Sequence, residues 1–95
     1  MDAGSEKDGW RGFKALLAHI ESDKDLEAFF ALFLTHKERE EIAGRYLIVR
    51  DLVQGELTQR AIAKAHGISI ANVSRGSNAL KTIAVPLRRI LEKFL

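Results

Sequence analysis

Apolar residues recur three and four positions apart along much of this chain, which is the spacing of one face of an α-helix. The first segment shows this spacing at Trp10, Phe13, Leu16, Leu17 and Ile20. Polar breaks separate it from further segments with helical spacing. The pattern predicts an all-α chain without internal repeats.

Capping residues divide this pattern into six short helices. Ser5 with Asp8 is expected to cap the first helix, and Thr35 with Glu38 has the capping-box spacing that opens a long helix. Gly55 suits the C-terminal cap of that long helix. Four of the expected helices run from about Glu6 to Ser22, from Leu26 to Leu34, from Thr35 to about Gln54, and from Pro86 to about Phe94. The other two lie between the last two of these and begin after the caps Thr58 and Ser69.

The two short helices within residues 58–80 predict a helix-turn-helix. Ala63 is small enough to let two helices cross closely, and Gly67 supplies the turn between them. Such a unit can lay its second helix in the major groove of DNA. The apolar residues expected to anchor both helices to a core are Ile62, Ile68 and Val73. The polar residues expected to face outward are Gln59, Arg60, Asn72 and Ser74.

Two segments are apolar around nearly the whole helix. One covers residues 28–34, and the other covers residues 46–49 with Ile42, Leu52 and Val53 beside it. A helix that is apolar on all sides must be buried on all sides, and a 95-residue monomer has few elements to surround two of them. We therefore expect an obligate, intertwined homodimer in which a second copy supplies the cover. The alternative is a monomer with an exposed apolar patch.

Composition is that of a small soluble domain. The 95 residues, 46% hydrophobic and 29% charged, are expected to form one domain spanning 1–95, with residues 1–8 as a flexible arm. Cysteine is absent, and no apolar run approaches the roughly 18 residues of a membrane span. Residues 1–6 lack the basic and apolar regions of a signal peptide. We expect a cytoplasmic protein without a membrane partner.

Charge is distributed unevenly along the chain. Residues 1–44 carry six basic and ten acidic residues, whereas residues 45–95 carry nine basic and three acidic ones. No acidic residue lies between Glu56 and Glu92, a window that contains the whole helix-turn-helix. A polyanion would be attracted there, which supports DNA as the partner.

Nothing in the sequence resembles a catalytic or metal site. His19, His36 and His66 lie far apart without metal-ligand spacing, so each is expected to be a surface or turn residue. The aromatic side chains at helical spacing, such as Trp10 and Phe13, are expected to be core. We expect no enzyme activity, no metal and no cofactor.

Several motifs resemble those of the bacterial tryptophan repressor family, over nearly the whole chain from about Trp10 to Leu95. The resemblance implies an interlocked all-α dimer with six helices per subunit. It also implies repression of tryptophan-related operons when L-tryptophan binds as corepressor between the core and the DNA-reading heads. The motifs are Leu32-Phe33-Leu34-Thr35, Glu38-Arg39-Glu40, Gly44-Arg45, Gly55-Glu56-Leu57-Thr58-Gln59-Arg60 and, most specific, Arg75-Gly76-Ser77-Asn78-Ala79-Leu80-Lys81.

The same resemblance implies a ligand site. Arg45 and Arg75 match the two family arginines that sandwich the indole ring, since a guanidinium plane stacks on an aromatic face. Arg75 would also pair with the ligand carboxylate. Read singly, Arg45 would be a solvated helix arginine and Arg75 a phosphate contact. The other lining positions are Leu32 and Leu34, whose backbone carbonyls in the second subunit would receive the ligand ammonium, with Thr35 and Gly76.

One position departs from the family pattern. Ala79 stands where well-known members have a serine whose hydroxyl helps to hold the ligand ammonium. Losing one such hydrogen bond costs on the order of 1.5–3 kcal/mol if nothing replaces it. The change affects the expected ligand affinity more than the ligand identity, and it leaves room for an indole ligand without a normal amino group.

The DNA-contacting positions also follow from the resemblance. Arg60 would reach guanine in bidentate fashion, and Lys64 would replace a family lysine that is missing at Ala63. Asn72 and Ser74 replace threonines, so base preference is expected to differ, while the short side chains favour the water-bridged readout known for this family. The full set, facing pseudo-palindromic double-stranded operator DNA, is Gln59, Arg60, Lys64, Ile70, Ala71, Asn72, Ser74, Asn78 and Lys81.

Two alternatives remain open at this point. One is a regulator of the same fold that acts constitutively or with another indole-like ligand. The other is a protein-interaction module with a vestigial helix-turn-helix, whose binding would not weaken steeply as salt rises, unlike that of a phosphate-contacting protein.

Overall fold

Six helices and no strands make up the computed structural model, which describes residues 1–95. The prediction of an all-α chain with six short helices is confirmed. No helix has both the length and the hydropathy that a membrane crossing requires. The helices are α1 (Ala3–Leu17), α2 (Asp23–Phe33), α3 (His36–Gln54), α4 (Gln59–His66), α5 (Ile70–Leu80) and α6 (Val85–Phe94).

The first helix begins and ends earlier than the sequence pattern predicts. Asp2 is its N-cap, because the carboxylate accepts the backbone N–H of Ser5 at 2.8 Å, and this hydrogen bond lowers the pKa of Asp2. Residues 3–8, expected to belong to a flexible arm, are therefore helical. At the other end α1 stops at Leu17, and the N–H groups of His19 and Ile20 bond to carbonyls three residues back.

The polar segment after α1 starts the second helix instead of separating two helices. Ser22 has an extended backbone, and its hydroxyl accepts the N–H of Asp25 at 3.1 Å. Since a residue with this backbone cannot continue a helix, α1 cannot reach Ser22. Asp23 and Asp25 lie in the first turn of α2, where negative charge suits the helix dipole. The second helix thus starts at Asp23 and not at Leu26.

The boundaries of α3 and α6 agree with the sequence prediction within the one or two residues by which helix ends vary. α3 begins at His36, directly after the expected cap Thr35, and ends at Gln54. Pro86 lies in the first turn of α6, where its missing N–H has no partner to lose.

The caps of α4 and α5 are those that the sequence predicts. The hydroxyls of Thr58 and Ser69 each accept an N–H three residues later, at 3.1 Å. Gly55 follows α3 with φ of +71°, and Gly67 follows α4 with φ of +63°. Both backbones are left-handed, a conformation that glycine adopts at helix C-termini without steric cost.

The chain divides into two compact units, Met1–His36 and Lys37–Leu95, whereas the sequence analysis treats it as a single domain. In the N-terminal unit one side chain is buried, that of Phe29. Its ring centroid lies 4.8 Å from that of Phe33 and 5.3 Å from that of Phe13. Trp10 stacks on Phe13 but is 61% exposed. The aromatic side chains of α1, expected to belong to the core, are therefore only partly covered in a single chain.

The C-terminal unit has its core where α3, α4 and α5 meet. Ile48, Ile62 and Val73 are at most 2% exposed, and they anchor these three helices respectively. Ala63 and Ile68 pack against them. The apolar anchors expected for the helix-turn-helix are therefore confirmed.

Large apolar side chains stay exposed in both segments that the sequence shows to be apolar on all sides. Leu32 of α2 is 78% exposed in the single chain. On α3, Ile42 and Tyr46 are each more than half exposed. Contiguous exposed apolar surface is commonly found at protein contact faces.

Candidate functional site

α4 and α5 form a helix-turn-helix that is anchored on one side and open on the other. The N–H groups of Gly67 and Ile68 both donate to the carbonyl of Ala63, which closes α4 tightly before α5 begins. Of the positions expected to contact DNA, all except the half-buried Ser74 are exposed. The exposed positions are Gln59, Arg60, Lys64, Ile70, Ala71, Asn72, Asn78 and Lys81.

Ser74 is engaged with another residue of the same surface. Its hydroxyl donates to the Gln59 side-chain oxygen Oε1 at 3.0 Å. The bond joins the middle of α5 to the first residue of α4. It gives Gln59 a defined position, with the side-chain NH₂ group left to act as a donor.

A second hydrogen bond lies one helical turn along α5. The guanidinium of Arg75 donates from Nη1 to the Asn72 oxygen Oδ1 at 2.8 Å. Because a guanidinium carries donors only, the carboxamide atom that faces it is the oxygen. A residue expected in the ligand site is thus bonded to one expected in the DNA face.

A cleft of about 520 Å³ opens between α3 and the turn that leads into α5. Arg45 lies in its wall, and Asn72 lines the opposite side, from α5. Arg75 is not part of the lining, but it is bonded to Asn72, which is. The lining residues are Glu40, Glu41, Gly44, Arg45, Ile48, Gly67, Ile68, Ser69 and Asn72.

Gly76 brings α5 into close contact with α3. A Cβ built on Gly76 would lie 2.7 Å from Ile48 Cγ2 and 3.9 Å from Arg45 Nη1. Only a residue without a side chain fits there, since real Cβ atoms do not approach a neighbour so closely. Within the C-terminal unit, the structure thus brings Arg45 next to the Arg75-Gly76 step.

The other expected ligand-site positions belong to the N-terminal unit. Leu32 lies in the last turn of α2, and Leu34 follows that helix with an extended backbone. Thr35 connects α2 to α3. The resemblance assigns these positions to the second subunit. Ala79, where the family pattern has serine, is exposed on α5.

A buried carboxylate joins α3 to the end of α4, and the sequence analysis missed it. Asp51 is 5% exposed, and its Oδ2 lies 2.6 Å from His66 Nε2 while its Oδ1 accepts Arg50 Nε at 2.9 Å. The hydrogen bond with His66, and then the Arg50 guanidinium, hold the pKa of Asp51 below its ordinary value of 3.8. His66, expected to be a surface or turn residue, is the last residue of α4 and has 19% of its side chain exposed. An acid directly before the apolar pair Leu52 and Val53 was the signal available in the sequence.

Comparison with known proteins identifies the family. The family described as Trp repressor protein matches residues 8–95. A Trp operon repressor homolog of Chlamydia trachomatis serovar D is 46% identical over 88 residues, covering 93% of this chain and 94% of the relative. One from Chlamydia caviae is 47% identical over 92 residues, covering 97% and 91%. A more distant homolog from Vibrio vulnificus is 37% identical over 81 residues, covering 85% and 79%.

These matches span nearly the whole chain, including the helix-turn-helix and the α5 segment that packs on α3. The family is one of DNA-binding transcriptional repressors and not of enzymes. The chain therefore belongs to the Trp repressor family.

Proposed function

We propose that this protein is a homodimeric repressor that acts in the cytoplasm and binds operator DNA more tightly when L-tryptophan is bound. The observation that carries the proposal is the double use of α5. Gly76 packs against α3 beside Arg45, while Asn72 on the same helix is exposed. Since one short helix joins the two sets of residues, a ligand beside Arg45 acts directly on the helix that meets DNA.

The charge and chemistry of the helix-turn-helix support DNA as the partner. Arg60, Lys64 and Lys81 are exposed, and no acidic residue lies in the sequence from residue 57 to 91. Cations attract the phosphate backbone, whereas the carboxamides of Gln59 and Asn72 are suited to base edges. The surface thus holds groups for both positioning and reading.

The cleft beside Arg45 supports a small-molecule ligand. Its volume of about 520 Å³ falls within the range of roughly 300–1,000 Å³ typical of such sites. Ile48 gives it an apolar wall, and Arg45 supplies a guanidinium for stacking on an aromatic ring. Arg75 is hydrogen-bonded to the cleft residue Asn72, and its guanidinium is suited to pair with a ligand carboxylate.

The exposed apolar residues support a homodimer. The N-terminal unit buries only Phe29, and a unit of fewer than about 40 residues usually needs disulfides, metals or oligomerisation for stability. The chain has no cysteine for a disulfide. A second copy covering Leu32 of α2 and Ile42 of α3 would bury this surface. The same copy would bring the carbonyls of Leu32 and Leu34, with Thr35, to the ligand.

Calorimetric titration with L-tryptophan and footprinting on upstream DNA, with and without that ligand, test the proposal. We expect measurable binding to the wild type and a loss of about ten- to a hundredfold in Arg75→Ala, because a charge-assisted hydrogen bond is removed. Arg11→Ala, which changes an exposed arginine of α1, is the matched control and should bind as the wild type does. Equal affinities in wild type and Arg75→Ala, or no heat with either, would overturn the corepressor role.

The same footprints separate the alternatives. Protection that is identical with and without L-tryptophan would indicate a constitutive regulator or another indole-like ligand. Binding that is absent, or that does not weaken between low and high salt, would indicate a protein-interaction module.

A further inference from the structure

Asn72 is the residue at which the cleft and the DNA face meet. Asn72 lines the same cleft as Arg45, and it is exposed in the first turn of α5. Its backbone N–H is bound to the Ser69 cap at 3.1 Å, which fixes the start of the side chain. Its oxygen accepts the Arg75 guanidinium at 2.8 Å. A group acting on Arg75 therefore acts on Asn72 as well.

The hydrogen bond also favours one end of the Asn72 carboxamide for contact with a base. A carboxamide usually reads adenine with both ends, since its oxygen accepts from N6 and its NH₂ group donates to N7. Here a cation occupies one of the two lone pairs of the oxygen and polarises the carboxamide, which strengthens the NH₂ group as the donor to a base edge. Guanine presents two acceptors, O6 and N7, in the major groove. Bonded in this way, Asn72 fits guanine better than adenine.

We propose that Asn72 transmits ligand occupancy to base reading through its hydrogen bond with Arg75, and that its NH₂ group binds guanine at N7. The inference rests on the proposed function. Both residues are exposed, and their side chains are hydrogen-bonded to each other. A ligand that stacks on Arg75 immobilises the guanidinium, and the guanidinium then holds the Asn72 oxygen so that the NH₂ group faces the groove. The entropic cost of ordering Asn72 is therefore incurred when the ligand binds and not when DNA binds.

The quantity that tests this coupling is the ligand factor, defined as operator affinity with L-tryptophan divided by affinity without it. It is measured by fluorescence anisotropy at one fixed salt concentration. For Asn72→Ala we expect the factor to fall by at least about threefold, a drop within the range by which single mutations change the coupling between two sites. Asn78→Ala is the matched control, because it changes an exposed asparagine of α5 for which no bond to Arg75 is seen. It should lower operator affinity and leave the factor unchanged.

Asn72→Asp separates anchoring of Arg75 from reading of the base. The carboxylate still accepts from Arg75 but cannot donate to guanine. In calorimetry without DNA, Asn72→Ala should lower the affinity for L-tryptophan about two- to tenfold through loss of one hydrogen bond, whereas Asn72→Asp should keep the wild-type affinity. On DNA both variants should lose affinity. Operators that carry 7-deazaguanine, which lacks the N7 acceptor, should bind the wild type more weakly at a position in each half-site where Asn72→Ala is unaffected, whereas a guanine bound by Arg60 should stay sensitive in both proteins.

Each outcome has a single interpretation, provided that circular dichroism shows the variants to be folded. A wild-type ligand factor of one would overturn the proposed function and this inference with it. A wild-type factor above one that Asn72→Ala retains would overturn the inference alone, leaving Asn72 as a simple DNA contact. A 7-deazaguanine effect that is the same in the wild type and in Asn72→Ala at every position would overturn the guanine assignment.

Discussion

Gly76 of α5 lies in direct contact with Ile48 of α3, so closely that a Cβ on Gly76 would be 2.7 Å from Ile48 Cγ2. This contact sets how near the helix-turn-helix comes to the long helix that carries Arg45. Both residues are buried. The ligand site proposed for this protein therefore depends on the absence of a side chain at residue 76.

Substitution of that glycine is expected to be costly. Gly76→Ala should lower the free energy of unfolding by about 1–3 kcal/mol, because the added methyl overpacks a buried contact. It should also lower the affinity for L-tryptophan, since α5 must move away from Arg45. Gly44→Ala is the matched control, because its Cβ would meet Ile68 at an ordinary 3.5 Å and alanine favours a helix. Urea unfolding of both variants checks this, and equal stabilities of Gly76→Ala and wild type would contradict it.

The pair formed by Asp51 and His66 predicts a specific acid sensitivity. The folded-state pKa of Asp51 lies below 3.8, so the folded protein binds this proton less readily than the unfolded chain does. The stabilisation is complete above the ordinary pKa and is lost as pH falls through the lowered value. Asp51→Asn should cost about 2–3 kcal/mol near neutral pH, and its difference from wild type should shrink below about pH 4.

Urea unfolding between pH 2 and 7, at one fixed protein concentration, measures this difference. Asp25→Asn is the control, since Asp25 is exposed in the first turn of α2. A difference between wild type and Asp51→Asn that stays constant over the whole range would show that Asp51 titrates alike in both states.

The hydrogen bond between Ser74 and Gln59 predicts that Ser74 acts on DNA through its neighbour. Ser74→Ala should reduce operator affinity by about two- to tenfold, because Gln59 loses the donor that holds it. Gln59→Ala should lose about as much, and the double variant should lose no more than either single one. Anisotropy titrations complete this double-mutant cycle. Additive losses would mean that the two residues contact DNA independently.

The exposed side chain of Leu32 predicts a change of oligomeric state. Leu32→Asp should shift the protein from dimer to monomer in sedimentation velocity, because a charge in a buried apolar interface is left without a partner. Ile70→Asp is the matched control, since Ile70 is also exposed but lies at the tip of α5. It should weaken operator binding and leave the dimer intact. A wild type that sediments as a monomer at all concentrations would contradict the proposed assembly.

Much of the helix-turn-helix is encoded locally. Thr58 and Ser69 bind N–H groups three residues later, and Gly67 adopts its backbone because glycine alone does so freely. Contacts between residues so close along the chain can be predicted from the sequence, so the ends of α4 and α5 follow from it. The same reasoning placed α1 too late, because it took Ser5 as the cap, whereas in the structure the Asp2 carboxylate accepts the Ser5 N–H.

By itself, therefore, the sequence determined the six helices, the turn between α4 and α5, the basic window and the resemblance to the family. The tertiary structure alone decided which side chains meet across helices. Asp51 meets His66 and Ser74 meets Gln59, each fifteen residues apart, and Gly76 meets Ile48. No periodicity or cap encodes these pairs, because they depend on how closely and at what angle helices cross once their apolar faces are packed.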